Sequence, residues 1–432
     1  MRKIIAILMC FLCGPAIAAS VIQDTEIESV ITEIIKPVTT AANIPDAQIR
    51  IVNDDNFNAF VMGGTDIYIY TGLLTRIRTP NALRAVIAHE LGHTIGGHMA
   101  QLSARMESEM KRTMMIQALG IGLMLAGGNS SLGAGIMAGA TGIARQSMLA
   151  FSRDEERIAD DMGFDLMVRA GYNPNGFIDV FEQMRDMTSH IESRVNPNAI
   201  NHPLTSERLK NIREKLENSD IKSKKFKSDT AGLGKKYDMV RAKLVGYLDD
   251  ATRIKTLYPN TDKSDAAIYA RAIANMRWGN LSAAAVGTRT LISRNPKNPY
   301  FYELLGDLEY KYGHYDAAVT AYDTALSLRA DSPQIETALA LVLVERAGNG
   351  DIERAAELCR RAILSEPSPI AYWVLARTFG SDDGRADWAM AEYYRLQNNN
   401  DKAREYARRA KGRLKKGSPE YIKSDDILRG RD

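Results

Sequence analysis

Three histidines and one glutamate lie within ten residues in the stretch HELGHTIGGH, from His89 to His98. His89 and His93 are four residues apart, so on a helix they share a face and their imidazoles can converge on one metal ion. Glu90 then lies about 100° round the helix from His89, where its carboxylate can take the proton of a metal-bound water as a general base. Imidazole nitrogen is a preferred ligand of Zn²⁺. The spacing therefore predicts hydrolysis assisted by one Zn²⁺ per chain.

A catalytic Zn²⁺ usually has three protein ligands and one open position, so this pair of histidines needs a third ligand. His98 is the nearest candidate. The sequence predicts a helix from Asn81 to about Lys111, and on a continuous helix His98 points about 180° away from His89. A histidine one residue later would match the metzincin spacing, but that position holds Met99. We therefore expect His98 to have a packing or capping role.

The acidic stretch FSRDEERIADD, Phe151–Asp161, is a better source of the missing ligand. On the helix predicted there, Glu156 and Asp160 are four residues apart and share a face. One carboxylate can bind the metal while the other orients a ligand imidazole. An isolated acidic helix is usually a solvated surface, but the HELGH helix upstream requires a carboxylate partner.

HELGH, SRDEERIAD and HPLTSERL together resemble the motifs of the zinc-peptidase family that includes HtpX and the CAAX prenyl proteases. The resemblance implies that Glu156 is the third metal ligand and that Asp160 supports a ligand histidine. It also implies that His202 can occupy the open position of the metal and hold the enzyme latent. The alternative for His202 is an ordinary loop histidine beside a proline. Arg208 resembles a family arginine near the active site, with oxyanion stabilisation as its suggested role.

The stretch NAFVMGG, from Asn58 to Gly64, resembles the edge-strand motif of the same family, roughly NAFAxPGG. The resemblance implies that Asn58, Ala59 and Phe60 bind an extended substrate backbone by β-addition. The stretch is one residue shorter than the motif and holds Met62 where proline is usual. The motif therefore does not fix the register of this strand.

The N-terminus has the composition of an export signal. Arg2 and Lys3 precede a short apolar run and the small-residue site that ends at Ala18. This pattern predicts a signal peptide over residues 1–18, cleaved near Ala18.

Three further regions differ in composition. Short β-rich runs followed by helices predict an α+β, mainly α metallopeptidase domain over residues 19–215. Within it, residues 113–144 hold no charged side chain, so this segment is either an active-site flap or a membrane-contacting segment. Residues 216–262 are polar and are predicted to form a helical linker.

The C-terminal third repeats with the tetratricopeptide period. Gly279 and Gly313 are 34 residues apart, and so are Ala284 and Ala318. We predict an α-solenoid of tetratricopeptide repeats over residues 263–420, with two antiparallel helices in each unit. Such stacks have a concave surface that binds proteins or peptides.

The combination of an export signal, this peptidase domain and the repeats resembles the β-barrel assembly-enhancing members of the family. That resemblance implies a periplasmic zinc endopeptidase in the quality control and assembly of outer-membrane β-barrel proteins. Unfolded or stalled outer-membrane proteins would be its substrates, and the repeats would recruit the β-barrel assembly machinery. A net charge of +3 on 432 residues gives no reason to expect nucleic acid as a partner. The alternatives are a chaperone or scaffold with a latent zinc site, and a peptidase anchored in the membrane through residues 113–144.

Overall fold

The computed structural model describes residues 21–98, 101, 153–189, 202, 205–230 and 232–430. The predicted signal peptide and the uncharged segment 113–144 lie outside these residues. None of the helices in the described ranges is both long enough and apolar enough to cross a membrane.

The chain divides into two compact units. The first consists of Glu28–Asp238 with the residues up to Gln23, and the second of Asp24–Ile27 with Met239–Asp432. The division lies inside the helix Leu233–Leu248, which belongs to the segment predicted as a helical linker.

The first unit contains a small sheet of four short strands. They are β1 (Val21–Ile22), β2 (Gln48–Val52), β3 (Ala59–Met62) and β4 (Asp66–Tyr70), in the spatial order β1-β2-β4-β3. β2 and β4 are parallel, whereas β3 pairs with β4 antiparallel, with Phe60 opposite Tyr68. Among the described strands, β3 is therefore an edge of the sheet, as a substrate-pairing strand must be.

Seven helices of the described chain lie wholly or mostly in the first unit. They are α1 (Thr25–Ala41), α2 (Thr71–Arg76), α3 (Pro80–Ile95), α4 (Arg153–Ala170), α5 (Gly176–Ser189), α6 (Ser206–Leu216) and α7 (Ser219–Ser223). α3 begins as its sequence predicts, because the Thr79 hydroxyl accepts a hydrogen bond from the Ala82 N–H and Pro80 occupies the first turn. Every residue of α3 from Ala82 to His93 is buried, so this helix lies in the core of the first unit.

Two glycines allow α3 and α4 to approach closely. A Cβ atom on Gly92 of α3 would lie 2.5 Å from the Ala159 carbonyl oxygen of α4. A Cβ atom on Gly163 of α4 would lie 2.9 Å from the Ala88 carbonyl oxygen of α3. Since neither contact is sterically allowed, the two helices can pack at this distance only with glycine at both positions. The close packing brings the histidines of α3 within reach of the carboxylates of α4.

The second unit consists of helices that follow one another as neighbouring pairs. They are α8 (Leu233–Leu248, whose start belongs to the first unit), α9 (Ala251–Leu257), α10 (Asp265–Arg277), α11 (Leu281–Arg294), α12 (Pro299–Tyr312), α13 (Tyr315–Leu328), α14 (Pro333–Arg346), α15 (Asp351–Ser365), α16 (Pro369–Arg377), α17 (Gly384–Leu396), α18 (Asn400–Arg413) and α19 (Pro419–Arg429). Ala284 and Ala318, which the period identifies as packing positions, are both buried. A Cβ atom on Gly306 would lie 2.7 Å from the Tyr322 ring. The α+β, mainly α architecture with a repeat region is thus confirmed.

Candidate metal centre

Helices α3 and α4 bring together three side chains of types that bind metal ions. The Nε2 atoms of His89 and His93 lie 3.1 Å apart. The Glu156 carboxylate lies 3.4 Å from the Nε2 atom of His89 and 3.5 Å from that of His93. All three side chains are buried. The ring of His202 lies beside them, with its Nδ1 atom 3.3 Å from the Nε2 atom of His89.

The spacing of these atoms fits a tetrahedral metal site. With bonds of about 2.0–2.1 Å to nitrogen or oxygen, a tetrahedral Zn²⁺ separates neighbouring ligand atoms by roughly 3.3 Å. One ligand atom from each of His89, His93, Glu156 and His202 lies within 4.8 Å of the other three. The Nδ1 atom of His202 is also 2.7 Å from Glu156 Oε1, which is a hydrogen-bond distance. A buried, converging set of imidazoles and one carboxylate is the donor set expected for a divalent metal ion.

Asp160 and Arg208 contact the candidate ligands His89 and Glu156 and orient them. The Nδ1 atom of His89 lies 2.9 Å from Asp160 Oδ1, so this carboxylate fixes the orientation of the His89 ring. Arg208 donates to both oxygens of Asp160, from Nε at 2.7 Å and from Nη2 at 2.8 Å. Its Nη1 atom is 2.7 Å from Glu156 Oε2. The guanidinium therefore faces the two carboxylates, and this geometry favours positioning over oxyanion stabilisation.

The same contacts control the charges of the buried groups. Burial alone would raise the pKa of Asp160, but hydrogen bonds from Arg208 and His89 outweigh burial and lower it. Burial likewise opposes ionisation of Glu156, and contacts with the three histidines lower its pKa well below the ordinary range. Both carboxylates are therefore ionised at neutral pH. When the histidines are neutral, as metal ligands must be, the two carboxylates and one arginine leave a net negative charge that suits a cation.

Glu90 lies on the open side of the centre. Its carboxylate is buried, and burial raises its pKa above that of an ordinary glutamate. Its Oε1 atom lies 3.6 Å from the Nε2 atom of His202. A carboxylate with a raised pKa is suited to accept a proton from water and to pass it on. His202 thus lies between this group and the metal ligands.

Strand β3 runs along the rim of the site. The Tyr70 N–H donates to the Asn58 carbonyl at 3.1 Å. In an antiparallel pair, it is therefore Asn58 and every second residue after it whose backbone groups hydrogen-bond to β4. The backbone groups of Ala59 and Val61 consequently point away from β4, toward the edge. The Phe60 ring stacks on Tyr68 with the centroids 4.8 Å apart, on the face opposite Ala59. β3 therefore has the position and the backbone orientation that pairing with an extended chain requires.

An apolar pocket opens between β3 and the centre. Its walls include Asn58, Ala59, Glu90 and His202, together with five large apolar side chains: Leu73, Phe177, Val180, Phe181 and Met184. The pocket thus has a mainly apolar lining beside the Glu90 carboxylate, and such a lining suits an apolar group. Sequence reasoning missed its residues on α5, because their helical spacing is also that of an ordinary core face.

The expectation for His98 is wrong in its geometry. It assumed a helix continuing to about Lys111, but α3 ends at Ile95 and the chain turns at Gly96 and Gly97, where Gly97 has φ +70°. The turn brings His98 back to α3, with its Nδ1 atom 3.0 Å from that of His93. His98 is buried and touches the back of a ligand histidine. The glycine pair in HELGHTIGGH is the sequence pattern that indicates this turn.

Comparisons with known proteins agree with this arrangement. Residues 22–216 match the model of peptidase family M48. Residues 22–216 are therefore similar to the metallopeptidase domains of family M48.

Among curated proteins, the chain is similar to the β-barrel assembly-enhancing protease of Escherichia coli strain K12. The identity is 24% over 387 residues, which are 87% of this chain and 76% of the relative. The protein of the same name from Yersinia pestis is 22% identical over the same shares. Metalloprotease LoiP of Escherichia coli strain K12 is 29% identical over 44% of this chain and 74% of its own length. Among solved structures, the chain is similar to a tetratricopeptide repeat protein of Thermus thermophilus at 17% sequence identity. The match spans 44% of this chain and 91% of the Thermus thermophilus chain, and its TM-score of 0.26 is too low to support an argument.

Proposed function

We propose that the first unit is a zinc endopeptidase with one Zn²⁺ per chain. The observation that carries the proposal is the convergence of His89, His93 and Glu156 within tetrahedral distances, with Glu90 on the open side. These three side chains would hold the ion. When bound, Zn²⁺ polarises the scissile carbonyl and lowers the pKa of a water molecule. Glu90 accepts the proton of that water and later donates it to the leaving amine.

The substrate would bind as an added strand. Ala59 and Val61 offer backbone groups at the edge of β3, and Asn58 and Phe60 complete the strand that an extended peptide would pair with. The pocket walled by Val180 and its neighbours would receive one apolar side chain of that peptide. This mode of binding recognises the backbone of the substrate and one of its apolar side chains, so it suits extended segments of unfolded chains.

The biological setting rests on the relatives. The similar Escherichia coli and Yersinia pestis proteins bear the name β-barrel assembly-enhancing protease. We place the chain in the periplasm, after cleavage near Ala18, with unfolded or stalled outer-membrane proteins as its substrates. The repeats would recruit the β-barrel assembly machinery. Cell fractionation with a carbonate wash tests the location, since a membrane anchor through residues 113–144 would keep the protein in the pellet.

We propose further that His202 is a latch. Its ring lies 2.7 Å from Glu156 and 3.6 Å from Glu90, the position that a water and a substrate carbonyl need. A bound substrate must therefore displace His202. The same observation favours the second candidate function, a chaperone or scaffold whose zinc site stays latent.

Casein cleavage by the wild-type protein beside His202→Ala separates the two candidates. The peptidase proposal predicts an unchanged zinc content and a severalfold faster basal cleavage for the variant. His314→Ala, which changes an exposed histidine of the second unit, is the matched control and should cleave at the wild-type rate. A zinc-loaded His202→Ala protein that still leaves casein intact would support the scaffold and contradict the peptidase.

A further inference from the structure

His93 has an unusual partner on the side away from the metal centre. A ligand histidine normally donates its second ring N–H to a carboxylate, a carbonyl or water. The Nδ1 atom of His89 has a carboxylate beside it, with Asp160 Oδ1 at 2.9 Å. The Nδ1 atom of His93 instead lies 3.0 Å from the Nδ1 atom of His98, another buried imidazole.

The contact fixes the protons of both rings. The Nε2 atom of His93 faces the cluster, at 3.1 Å from His89 and 3.5 Å from Glu156, so it must be free of a proton to bind a metal ion. The remaining proton of the neutral ring then belongs on Nδ1. Only one proton fits between the two Nδ1 atoms. His98 therefore accepts at Nδ1 and carries its own proton on Nε2.

Gly96 provides an independent indication that the place of the His98 ring is specified. A Cβ atom on Gly96 would lie 2.6 Å from His98 Nε2 and 2.8 Å from its Cε1 atom. The backbone of Gly96 has φ −68°, a value that any residue adopts. A side chain at position 96 would therefore have to displace the imidazole, whereas the backbone conformation there does not require glycine.

We propose that His98 is a positioning residue of the metal site, which accepts a hydrogen bond from the Nδ1–H of His93 and so sets the tautomer and ring orientation of that ligand. The inference rests on the proposed metal site and adds a residue to it. Gly96 contributes to this arrangement, because it leaves room for the His98 ring. All of these residues lie within one stretch of ten, since the turn at Gly96 and Gly97 folds the end of the motif back onto its own helix.

Two substitutions of His98 separate hydrogen bonding from space filling. Asn places an acceptor oxygen near the Nδ1 position, whereas Phe fills the volume of the ring without an acceptor. The measurement is the zinc affinity of the full chain, by competition with a chelator, together with the visible spectrum of the Co²⁺-loaded protein. We expect His98→Phe to bind zinc about 10–100-fold more weakly, the usual effect of losing an outer partner of a ligand. His98→Asn should keep an affinity and a Co²⁺ spectrum close to those of the wild type.

Wild-type affinity in His98→Phe would overturn the inference, and so would equal weakening in both variants. Gly96→Ala gives a second route if His98→Phe does not fold, and it should also weaken zinc binding by displacing the ring. Long-range ¹H–¹⁵N NMR of the zinc-loaded wild type should show His93 protonated at Nδ1 and His98 at Nε2. The reverse tautomer of His98 would contradict the proposal. A wild-type protein that binds no zinc would refute the proposed metal site itself, which is a different outcome.

Discussion

At the scale of single residues, the neighbouring glutamates Glu155 and Glu156 of α4 have different surroundings. Glu156 is 1% exposed and faces His89 and His93, whereas Glu155 is also buried but does not join the converging ligand atoms. The Glu156 carboxylate is held ionised by the histidines around it, which matches the charge that a metal ligand needs. The difference between the two positions is one of direction, since one residue corresponds to about 100° on a helix.

Glu156→Ala should therefore lose zinc. Removing the ligand carboxylate leaves His89 and His93 with only the displaceable His202, which itself contacts Glu156, and this set is too weak to hold the ion against a chelator. Glu155→Ala removes a buried glutamate of the same helix turn and is the matched control, with one zinc per chain expected. Metal analysis after dialysis gives the result, and a stoichiometric zinc content in Glu156→Ala would refute its assignment as a ligand.

At the scale of elements, the site depends on the close packing of α3 against α4. Gly92 and Gly163 are the points of closest approach, each facing a backbone carbonyl of the other helix. If either helix moved outward, the carboxylates of α4 would move away from the histidines of α3. We therefore expect metal affinity to depend on the packing of this helix pair as well as on its side chains.

Gly92→Ala tests this dependence. Its Cβ atom would meet the Ala159 carbonyl oxygen at 2.5 Å, so the helices must separate. We expect a loss of about 1–3 kcal/mol in the free energy of unfolding, typical of overpacking, together with weaker zinc binding. Gly412→Ala is the control, because this helical glycine of α18 has no heavy atom within 4 Å of its Cβ position and the change should be neutral or stabilising. Denaturant unfolding and chelator competition measure both effects, and unchanged zinc affinity in Gly92→Ala would show that the glycine contact does not set the ligand geometry.

The second unit, considered as a whole, contains a buried network of charges. Lys243 lies 2.7 Å from Asp24, 3.1 Å from Glu26 and 3.2 Å from Glu303. Burial raises the pKa of Glu303 from 4.5 to about 8, although Lys243 acts in the opposite direction. Between these two pH values the folded chain holds a proton that the unfolded chain releases. The stability contributed by protonated Glu303 is therefore lost as the pH rises from about 4.5 to 8.

Glu303→Gln should reduce this pH dependence, because the amide keeps a neutral polar group at the position. We expect the melting temperature of the second unit to fall less between pH 5 and pH 8 in the variant than in the wild type. Glu353→Gln, at an exposed position of α15, is the control and should follow the wild-type curve. Parallel curves for wild type and Glu303→Gln would mean that Glu303 ionises normally in the folded chain.

The sequence predicted some parts of the molecule better than others, for physical reasons. The repeats and the start of α3 depend on local signals, such as the period of small residues and the Thr79-Pro80 cap, and these are visible in one chain. The place of His98 depends on where a helix stops, and the geometry of a continuous helix does not hold beyond Gly96. The pocket residues of α5, such as Val180, have the spacing of any core face, so only the fold reveals that they border Glu90.

For the molecule as a whole, we propose that activity depends on one proton acceptor, Glu90, which takes part in catalysis and does not bind the metal. Casein cleavage by zinc-loaded Glu90→Gln, measured beside the wild type with zinc content determined on the same samples, is the most direct test. We predict one zinc per chain in both proteins and cleavage that is at least 100-fold slower in the variant, within the range of about 10²–10⁴ that general acid–base catalysis contributes. Cleavage at the wild-type rate by zinc-loaded Glu90→Gln would contradict the assignment of Glu90 as the general base.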